Sequence, residues 1–227
     1  MSTSKNKNIH FGLKDYFLMY KKRGLRLPIY FFFQTHLFDL MYGTDTHIWL
    51  PKKKYNSKPK NFQHGVLYMC SWTNIIKDAT NKVIDLFSLN PNDIAFIDIG
   101  CGKGKVLCVW KKMFLNSKKI IGIDYSLQLL KICKKNLKKI SASEVELICA
   151  DASEISLNFD CNTQLFYLYN PFNEKILNKF IDSIKKNNAI IIYNNPVHKN
   201  IFLKKGYKEI FNKVSWHPNG NFSIFSK

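Results

Sequence analysis

The sequence predicts an α/β fold in which helices cover both faces of a mostly parallel β-sheet. Two observations predict it: short apolar runs recur along the chain after residue 90, and between them apolar residues fall at the spacing of amphipathic helices. An apolar run without alternation is typical of a strand that is buried on both faces. Strands that alternate with helices form βαβ units, so the sheet is expected to be doubly wound.

The elements follow from these patterns in chain order. Five apolar runs predict parallel strands: Ile94–Ile99, Lys119–Asp124, Val145–Ala150, Gln164–Tyr169 and Ala189–Tyr193. Four apolar stripes predict helices: Ile76–Phe87, Val106–Phe114, Leu129–Leu137 and Ile176–Ile184. Two further strands, Tyr207–Trp216 and Asn221–Phe225, flank the turn sequence His-Pro-Asn-Gly. They predict an antiparallel C-terminal hairpin that closes the sheet.

Composition excludes several classes of protein. The chain has 227 residues, of which 46% are hydrophobic and 22% charged, a balance that excludes a disordered chain, a collagen-like repeat and a coiled coil. The six cysteines include no C-x-x-C pair, and no histidine is spaced with them for zinc. We therefore expect reduced, buried thiols and no metal site, as in a cytoplasmic protein.

The charge of the chain is strongly positive. Thirty-five basic and sixteen acidic residues give a net charge of +19, and only Arg23 and Arg26 are not lysine among the basic residues. A coding bias toward lysine is one interpretation of this surplus. A surplus of this size also attracts anions, so nucleic acid, acidic lipid and acidic glycan all remain open as partners.

The first 72 residues differ from the rest. They mix aromatic and basic residues irregularly, and we expect them to form an N-terminal cap and substrate-binding extension (1–72) on a catalytic domain (73–227). Their most apolar stretch, Ile29–Tyr42, is too short to cross a bilayer. The basic residues ahead of it leave two interpretations open: an amphipathic cap over the sheet, or a helix that contacts a membrane surface. The first twelve residues lack the apolar core of a secretory signal, which favours a cytoplasmic location.

The most informative motif follows the first predicted strand. Gly100, Gly102 and Gly104 stand at alternate positions, and Asp98 precedes them by two residues. A dinucleotide fingerprint requires a glycine where Lys105 stands, and a Walker loop requires longer spacing and a Ser or Thr after the lysine. Neither pattern fits. A carboxylate at the position of Asp98 would repel phosphate and suits a cationic ligand.

This motif resembles the first motif of the class I S-adenosylmethionine-dependent methyltransferases, acidic-x-G-x-G-x-G. The resemblance implies a Rossmann-like, seven-stranded fold and S-adenosylmethionine as cofactor. It implies that the loop from Gly100 through Cys101, Gly102 and Gly104 passes under the methionine part of the cofactor, with Asp98 near its amino group. The motif Cys101-Gly-Lys-Gly-Lys is closest to a bacterial branch often found with glycan-biosynthesis enzymes. The stretch from Phe38-Asp39 to Gly43-Thr44-Asp45-Thr46 is similar to that branch as well.

The same resemblance implies an adenosine site on the next two strands. The family has an acidic residue at the end of its second strand that binds the ribose, and Asp124 stands there. Tyr125, the next residue, is placed to flank the adenine. Asp151-Ala152 matches the position after the third strand, where the family commonly binds the adenine amino group.

The fourth predicted strand ends in Asn170-Pro171-Phe172. This triplet is similar to the (Asn/Asp)-Pro-Pro-(Tyr/Phe) motif with which amino-methyltransferases bind a planar amine, but it has one proline fewer. Three roles therefore stay open: a catalytic one, a pocket wall that touches the cofactor, and a plain strand-to-helix turn.

The acceptor is the least determined part of the prediction. A glycan or another small molecule is preferred because of the branch resemblance, and amino-methylation of RNA, DNA or protein is the alternative. A further alternative is a basic binding module with no activity on the same fold. A hydroxyl acceptor would require a general base, and no spacing singles out one of the N-terminal histidines.

Overall fold

The sheet has the predicted architecture. The computed structural model describes residues 12–50, 62–64, 68–117, 119–155, 157, 159, 161–184 and 188–227. Within them, seven strands form one sheet: β1 Ile94–Ile99, β2 Lys119–Asp124, β3 Glu146–Cys149, β4 Thr163–Tyr169, β5 Ala189–Asn194, β6 Lys208–Lys213 and β7 Phe222–Ser226. Their order is β3-β2-β1-β4-β5-β7-β6. Strands β1 to β5 are parallel, and β7 lies antiparallel between β5 and β6.

Helices lie on both faces of this sheet. In chain order they are α1 Leu13–Arg23, α2 Arg26–Phe31, α3 Leu37–Tyr42, α4 Thr73–Phe87, α5 Lys105–Met113, α6 Leu127–Lys139, α7 Glu174–Ser183 and α8 Asn200–Lys204. Neighbouring residues of a strand point to opposite faces, so Phe96 packs with α4, α5 and α6 whereas Ile97 packs with α7 and α8. The predicted doubly wound α/β fold is therefore confirmed.

Two details differ from the sequence-based expectation. Strand β3 is shorter than predicted because it begins at Glu146 and ends at Cys149. The predicted antiparallel C-terminal hairpin is confirmed, since β6 pairs with β7, and its connection, residues 214–221, contains a 3₁₀ turn at Pro218–Gly220. The side-chain amide of Asn194 holds this loop, since its Nδ2 donates to the carbonyls of Asn219 and Asn221 at 3.0 and 2.8 Å. The short helix α8 was not predicted.

The N-terminal helices contact the loop between β6 and β7. Helices α2 and α3 are joined by a π-helical turn, Phe32–His36. The guanidinium of Arg26 lies 4.5 Å from the ring centre of Trp216, and Nη1 of Arg23 donates to the Trp216 carbonyl at 3.0 Å. These contacts are those of the predicted helical cap.

Part of the cap's apolar surface remains exposed. Its exposed large apolar residues are Leu13, Phe17, Leu18, Tyr20, Leu25, Ile29, Phe32, Phe33, Leu40 and Met41. No helix among the described residues is long and apolar enough to span a membrane. Contact with a membrane surface, like the division of the chain at residue 72, remains a prediction. Residues 1–11, on which the absence of a secretory signal was argued, lie outside the described part.

Four of the six cysteines have the predicted burial. Cys70, Cys101, Cys108 and Cys133 are buried, and all six cysteines are free thiols. Cys149 is exposed and Cys161 is half-buried. The expectation of buried thiols was therefore wrong for Cys149, because β3 is an edge strand of the sheet.

Candidate functional site

The glycine turn at the end of β1 is shaped by the protein around it. Gly100, Gly102 and Gly104 all have φ between +54° and +84°, a region that favours glycine. A Cβ at Gly102 would lie 2.2 Å from the ring of Tyr68, and one at Gly104 would lie 2.5 Å from Sγ of Cys133. These two glycines are therefore required by internal packing as well as by their backbone conformation.

Asp98 is a buried carboxylate without a partner. It is 3% exposed, and no described residue makes a hydrogen bond or an ion pair with its side chain. Burial raises the pKa of Asp98 well above its usual range, and the neighbouring Asp124 raises it further. A buried carboxyl that lacks a counter-charge is costly, so this position suits a ligand that brings a positive charge.

Asp124 at the end of β2 holds the glycine turn in place. Its Oδ2 accepts the backbone N–H of Gly102 at 2.9 Å, and its Oδ1 accepts that of Ser126 at 2.8 Å. Burial raises the pKa of Asp124 to about 6, while these two hydrogen bonds act to lower it. Each carboxylate oxygen has two lone pairs, so Asp124 can accept a further hydrogen bond from a ligand hydroxyl.

The remaining predicted adenosine residues follow β2 and β3. Tyr125 is half-buried and packs edge-on against Phe62, with ring centres 6.1 Å apart. Asp151 accepts the N–H and the hydroxyl of Ser153 through Oδ1, at 2.9 and 2.7 Å, and Ala152 is buried. Because β1, β2 and β3 are parallel neighbours, these residues stand with Asp98 at the carboxyl ends of the strands.

Cys101 lies in the turn, but its side chain faces the core. It is 3% exposed and belongs to the apolar cluster formed by the sheet with α4, α5 and α6. Its N–H donates to the Ile123 carbonyl at 3.0 Å, and its carbonyl accepts from Gly104 N–H at 2.8 Å. The structure therefore gives the Cys101 thiol a packing position and not one in a ligand crevice.

The Asn170-Pro171-Phe172 turn is closed onto the protein. Oδ1 of Asn170 accepts the hydroxyl of Tyr193 at 2.9 Å, and a Cβ at Gly100 would lie 3.0 Å from Cβ of Pro171. Phe172 is 8% exposed and packs on Phe180, with ring centres 6.0 Å apart. Asn170 and Pro171 therefore border the glycine turn, whereas the Phe172 ring lies in the core.

The N-terminal segment is fastened over the glycine turn. Nζ of Lys103 pairs with the carboxylate of Asp45 at 3.0 and 3.2 Å. Asn136 on α6 accepts the N–H of Asp45 at 2.8 Å and donates to the carbonyl of Lys103 at 2.9 Å. Tyr68 donates its hydroxyl to the Thr46 carbonyl at 2.7 Å while its ring covers Gly102. We name these contacts the clasp.

The clasp also includes the hydrogen bonds of Asp39 with Thr44, Thr46 and His47. Sequence reasoning missed this role of Asp39. It accepts from Thr46 N–H and Oγ1 at 2.8 and 2.7 Å, from His47 N–H and Nδ1 at 2.8 and 2.6 Å, and from Thr44 Oγ1. Burial alone would raise the pKa of Asp39, but the His47 hydrogen bond and the charge of Lys105 hold it well below its usual range. The stretch Gly43-Thr44-Asp45-Thr46 was the available signal, and it carried no indication of its geometry.

The donor set fits S-adenosylmethionine. Its amino group and sulfonium are cations that would give Asp98 the missing counter-charge, and its ribose hydroxyls can donate to Asp124. Within the described residues no cluster of three His, Cys, Asp or Glu side chains is arranged to hold a metal. The fold and these residues are those of the α/β proteins that bind ligands at the carboxyl ends of their parallel strands.

Comparisons with known proteins agree with this class. A family described as "Methyltransferase domain" matches residues 91–220. Malonyl-[acyl-carrier protein] O-methyltransferase of Priestia megaterium is 28% identical over 110 residues, which are 48% of this chain and 36% of that protein. The match therefore spans about a third of the relative's length.

Solved structures share the fold at low identity. A mutant of MtNAS in complex with S-adenosylmethionine superposes with a TM-score of 0.53 at 10% identity, over 67% of this chain and 61% of that one. Ribosomal protein L11 methylase of Lactobacillus delbrueckii subsp. bulgaricus gives 0.50 at 12% identity, over 67% and 76%.

The chain belongs to the methyltransferase-domain family, as a class I S-adenosylmethionine-dependent methyltransferase. The family predicted from the glycine motif is thereby confirmed, together with the enzyme class and the cofactor.

Proposed function

We propose that this methyltransferase transfers the methyl group to an oxygen atom of a small-molecule acceptor. The observation that carries the proposal is the closed Asn170-Pro171-Phe172 turn. Amine binding at such a turn requires a free side-chain oxygen and an aromatic ring in the pocket. Here the Phe172 ring is packed in the core, so this turn offers no aromatic ring to stack on an amine, and Tyr193 already uses one lone pair of the Asn170 oxygen.

The cofactor roles form the second part of the proposal. Asp98 holds the amino group of S-adenosylmethionine, Asp124 accepts from the ribose, and Asp151 accepts from the adenine amino group beside Tyr125. When bound, this cofactor supplies a methyl group on a sulfonium centre that a lone pair can displace. The chain's own contribution is to position the acceptor and to exclude water, which accounts for much of the catalysis in such transfers.

The relative in Priestia megaterium supports an oxygen acceptor because that protein is an O-methyltransferase. The glycan predicted from the sequence belongs to the same class of oxygen acceptor, although neither the relative nor the two solved structures named above is described as acting on a glycan. Two observations disfavour a non-enzymatic binding module. The family match is to a methyltransferase domain, and the chain has Asp98, Asp124 and Asp151 at the positions of the family's acidic residues.

Nucleic acid remains the second candidate acceptor because of the charge of +19. Binding through that charge would weaken steeply as salt is raised. Oligonucleotide affinity measured at increasing salt tests it, and an affinity that does not change with salt contradicts it.

The test of the proposed acceptor uses labelled S-adenosylmethionine and cell extract. The purified full chain is incubated with fractions of the extract, and the methylated product is identified by mass spectrometry. We expect label in a small molecule that resists nuclease and protease, with the new methyl on oxygen. A product methylated on nitrogen, or label that nuclease releases, would contradict the proposal.

A further inference from the structure

A cavity of about 550 Å³ lies between the N-terminal helices and the clasp. Its volume is in the range of small-molecule sites in proteins. It is lined by residues of α1, of the turn before α3, of α3 itself and of the clasp: Leu13, Tyr16, Phe32, His36, Asp39, Leu40, Thr44 and His47.

Part of the cavity lining is apolar. Leu13, Phe32 and Leu40 belong to this part and are among the exposed apolar residues of the cap. Apolar side chains that line a cavity of this size favour a ligand with an apolar body.

The lining also includes a histidine whose ring contacts a carboxylate. Nδ1 of His47 lies 2.6 Å from Oδ2 of Asp39. Because the Asp39 pKa is far below its usual range, its carboxylate is ionised at neutral pH and accepts, so Nδ1 of His47 carries the proton. In the imidazole tautomer with this proton on Nδ1, Nε2 has a lone pair that can accept a hydrogen bond from a ligand.

Two further polar atoms on lining residues of the cavity have no partner among the described residues. These are Nε2 of His36 and the hydroxyl of Tyr16, both buried. The rings of His36 and His47 are in contact, with centres 4.4 Å apart. Burial, with a further contribution from His47, lowers the pKa of His36 to about 4, so it is neutral at pH 7. Unpaired buried polar atoms are uncommon in folded proteins, and a ligand that reaches them would satisfy them.

A chain of contacts connects the cavity to the glycine turn. Thr46 donates to Asp39, one of the lining residues, and its carbonyl accepts from Tyr68, whose ring lies on Gly102. Two residues, Thr46 and Tyr68, therefore link the cavity to the turn under the cofactor.

We propose that this cavity binds the methyl acceptor, and that the acceptor is a small apolar molecule whose hydroxyl donates a hydrogen bond to Nε2 of His47. The assignment of the bound molecule as the acceptor rests on the proposed function above. His47 acts here in binding, Asp39 fixes the orientation of its ring, and Leu13, Phe32 and Leu40 contact the apolar body.

The test uses 2-naphthol as a hydroxyl probe and 2-methoxynaphthalene as its matched partner without a donor. Binding of each to the full chain is measured by fluorescence titration. We expect 2-naphthol to bind about tenfold more tightly, the value of one hydrogen bond of about 1.4 kcal/mol. Equal affinities, or no saturable binding of 2-naphthol up to its solubility limit, would overturn the proposal.

Two variants locate the site. His47→Asn keeps a donor near Asp39 but removes Nε2, so the preference for 2-naphthol should disappear. Leu40→Trp fills the cavity with a larger side chain and leaves residue 39 unchanged, so both probes should lose binding. The control His198→Asn alters the other histidine–carboxylate pair of the described residues, His198 with Glu174, and Leu203→Trp alters an exposed leucine on α8. Both controls should bind both probes like the wild type, and a preference that survives His47→Asn contradicts the proposal.

Failure here is separable from failure of the proposed function. If a small molecule is O-methylated but the naphthol probes do not distinguish the variants, the cavity is not the acceptor site and the function stands. If 2-naphthol binds as expected but extract fractions yield only methylated nucleic acid or methylated nitrogen, the cavity binds a ligand and the proposed function is wrong.

Discussion

Asp98 and Asp39 are buried to nearly the same degree, 3% and 4% exposed, in opposite surroundings. Asp98 has no partner among the described residues, and its pKa is raised. Asp39 accepts from Thr44, Thr46 and His47, and its pKa is lowered. Burial alone therefore does not determine the role of a carboxylate. The aspartate that the fold satisfies is structural, and the one that it leaves unsatisfied is the candidate for binding a ligand.

The largest expected effect tests the structural aspartate. Asp39→Ala leaves the N–H groups of Thr46 and His47 without an acceptor and removes a charge near buried Lys105. We expect a loss of about 3–5 kcal/mol in the free energy of unfolding, the usual result of breaking a buried charged network. Urea unfolding measures it. Asp182→Ala, which removes an exposed pair with Lys205, should change little, and an equally small effect of Asp39→Ala would show that the clasp is not a stabilising unit.

The next effect tests the unsatisfied aspartate. Asp98→Asn keeps the shape of the side chain and removes the charge, so S-adenosylmethionine should lose an interaction of about 1.5–3 kcal/mol with its amino group. Calorimetric titration should then show affinity reduced by one to two orders of magnitude. The same variant should be more stable than the wild type at neutral pH, because a buried carboxyl without a partner is costly.

Asp182→Asn provides the matched control and should leave both quantities unchanged. Wild-type affinity in the Asp98→Asn protein would show that the cofactor's cation lies elsewhere in the crevice.

The two aspartates should also give stability opposite dependences on pH. For a carboxyl with a raised pKa, stability is complete below the unfolded-state pKa near 4 and declines as pH rises toward the folded-state value. Above about pH 4, Asp98 should therefore lower the free energy of unfolding by up to about 1.4 kcal/mol per pH unit.

Asp98→Asn removes this decline, so its advantage over the wild type should grow with pH in urea unfolding series. The contribution of Asp39 has the opposite sign and is lost as pH falls below the usual carboxyl range. An advantage of Asp98→Asn that stays constant from pH 4 to 7 would contradict the raised pKa.

The sequence was sufficient for the catalytic half because its elements are local. An apolar run such as Ile94–Ile99 and a glycine turn such as Gly100–Gly104 specify their own backbone, and the parallel strands then bring Asp98, Asp124 and Asp151 to one edge. Each of these elements is a continuous run of residues, so periodicity and turn residues were enough to predict its position in the chain.

The clasp was not predictable because its contacts are distant in sequence. Asp45 pairs with Lys103 and Asn136, and Tyr68 covers Gly102. Nothing in the spacing of Asp39 and His47 indicates that a chain reversal brings them within 2.6 Å. The position of the Phe172 ring was likewise open, since a turn after a strand can direct its third residue outward or into the core.

The smallest expected effect separates the clasp from the core that it covers. Asp45 is about 40% exposed in its pair with buried Lys103, so Asp45→Asn, which keeps a hydrogen-bond acceptor, should reduce global stability by no more than about 1 kcal/mol. The effect should instead be local: hydrogen exchange of the backbone amides at positions 45 and 46 should accelerate, while that of β1 and β4 stays at the wild-type rate. Asp78→Asn, which weakens the exposed pair with Lys213, should leave the exchange of Asp45 and Thr46 unchanged. Uniformly faster exchange across the sheet would mean that the clasp and the sheet open together, and that Asp39 and Asp98 belong to one cooperative unit rather than two.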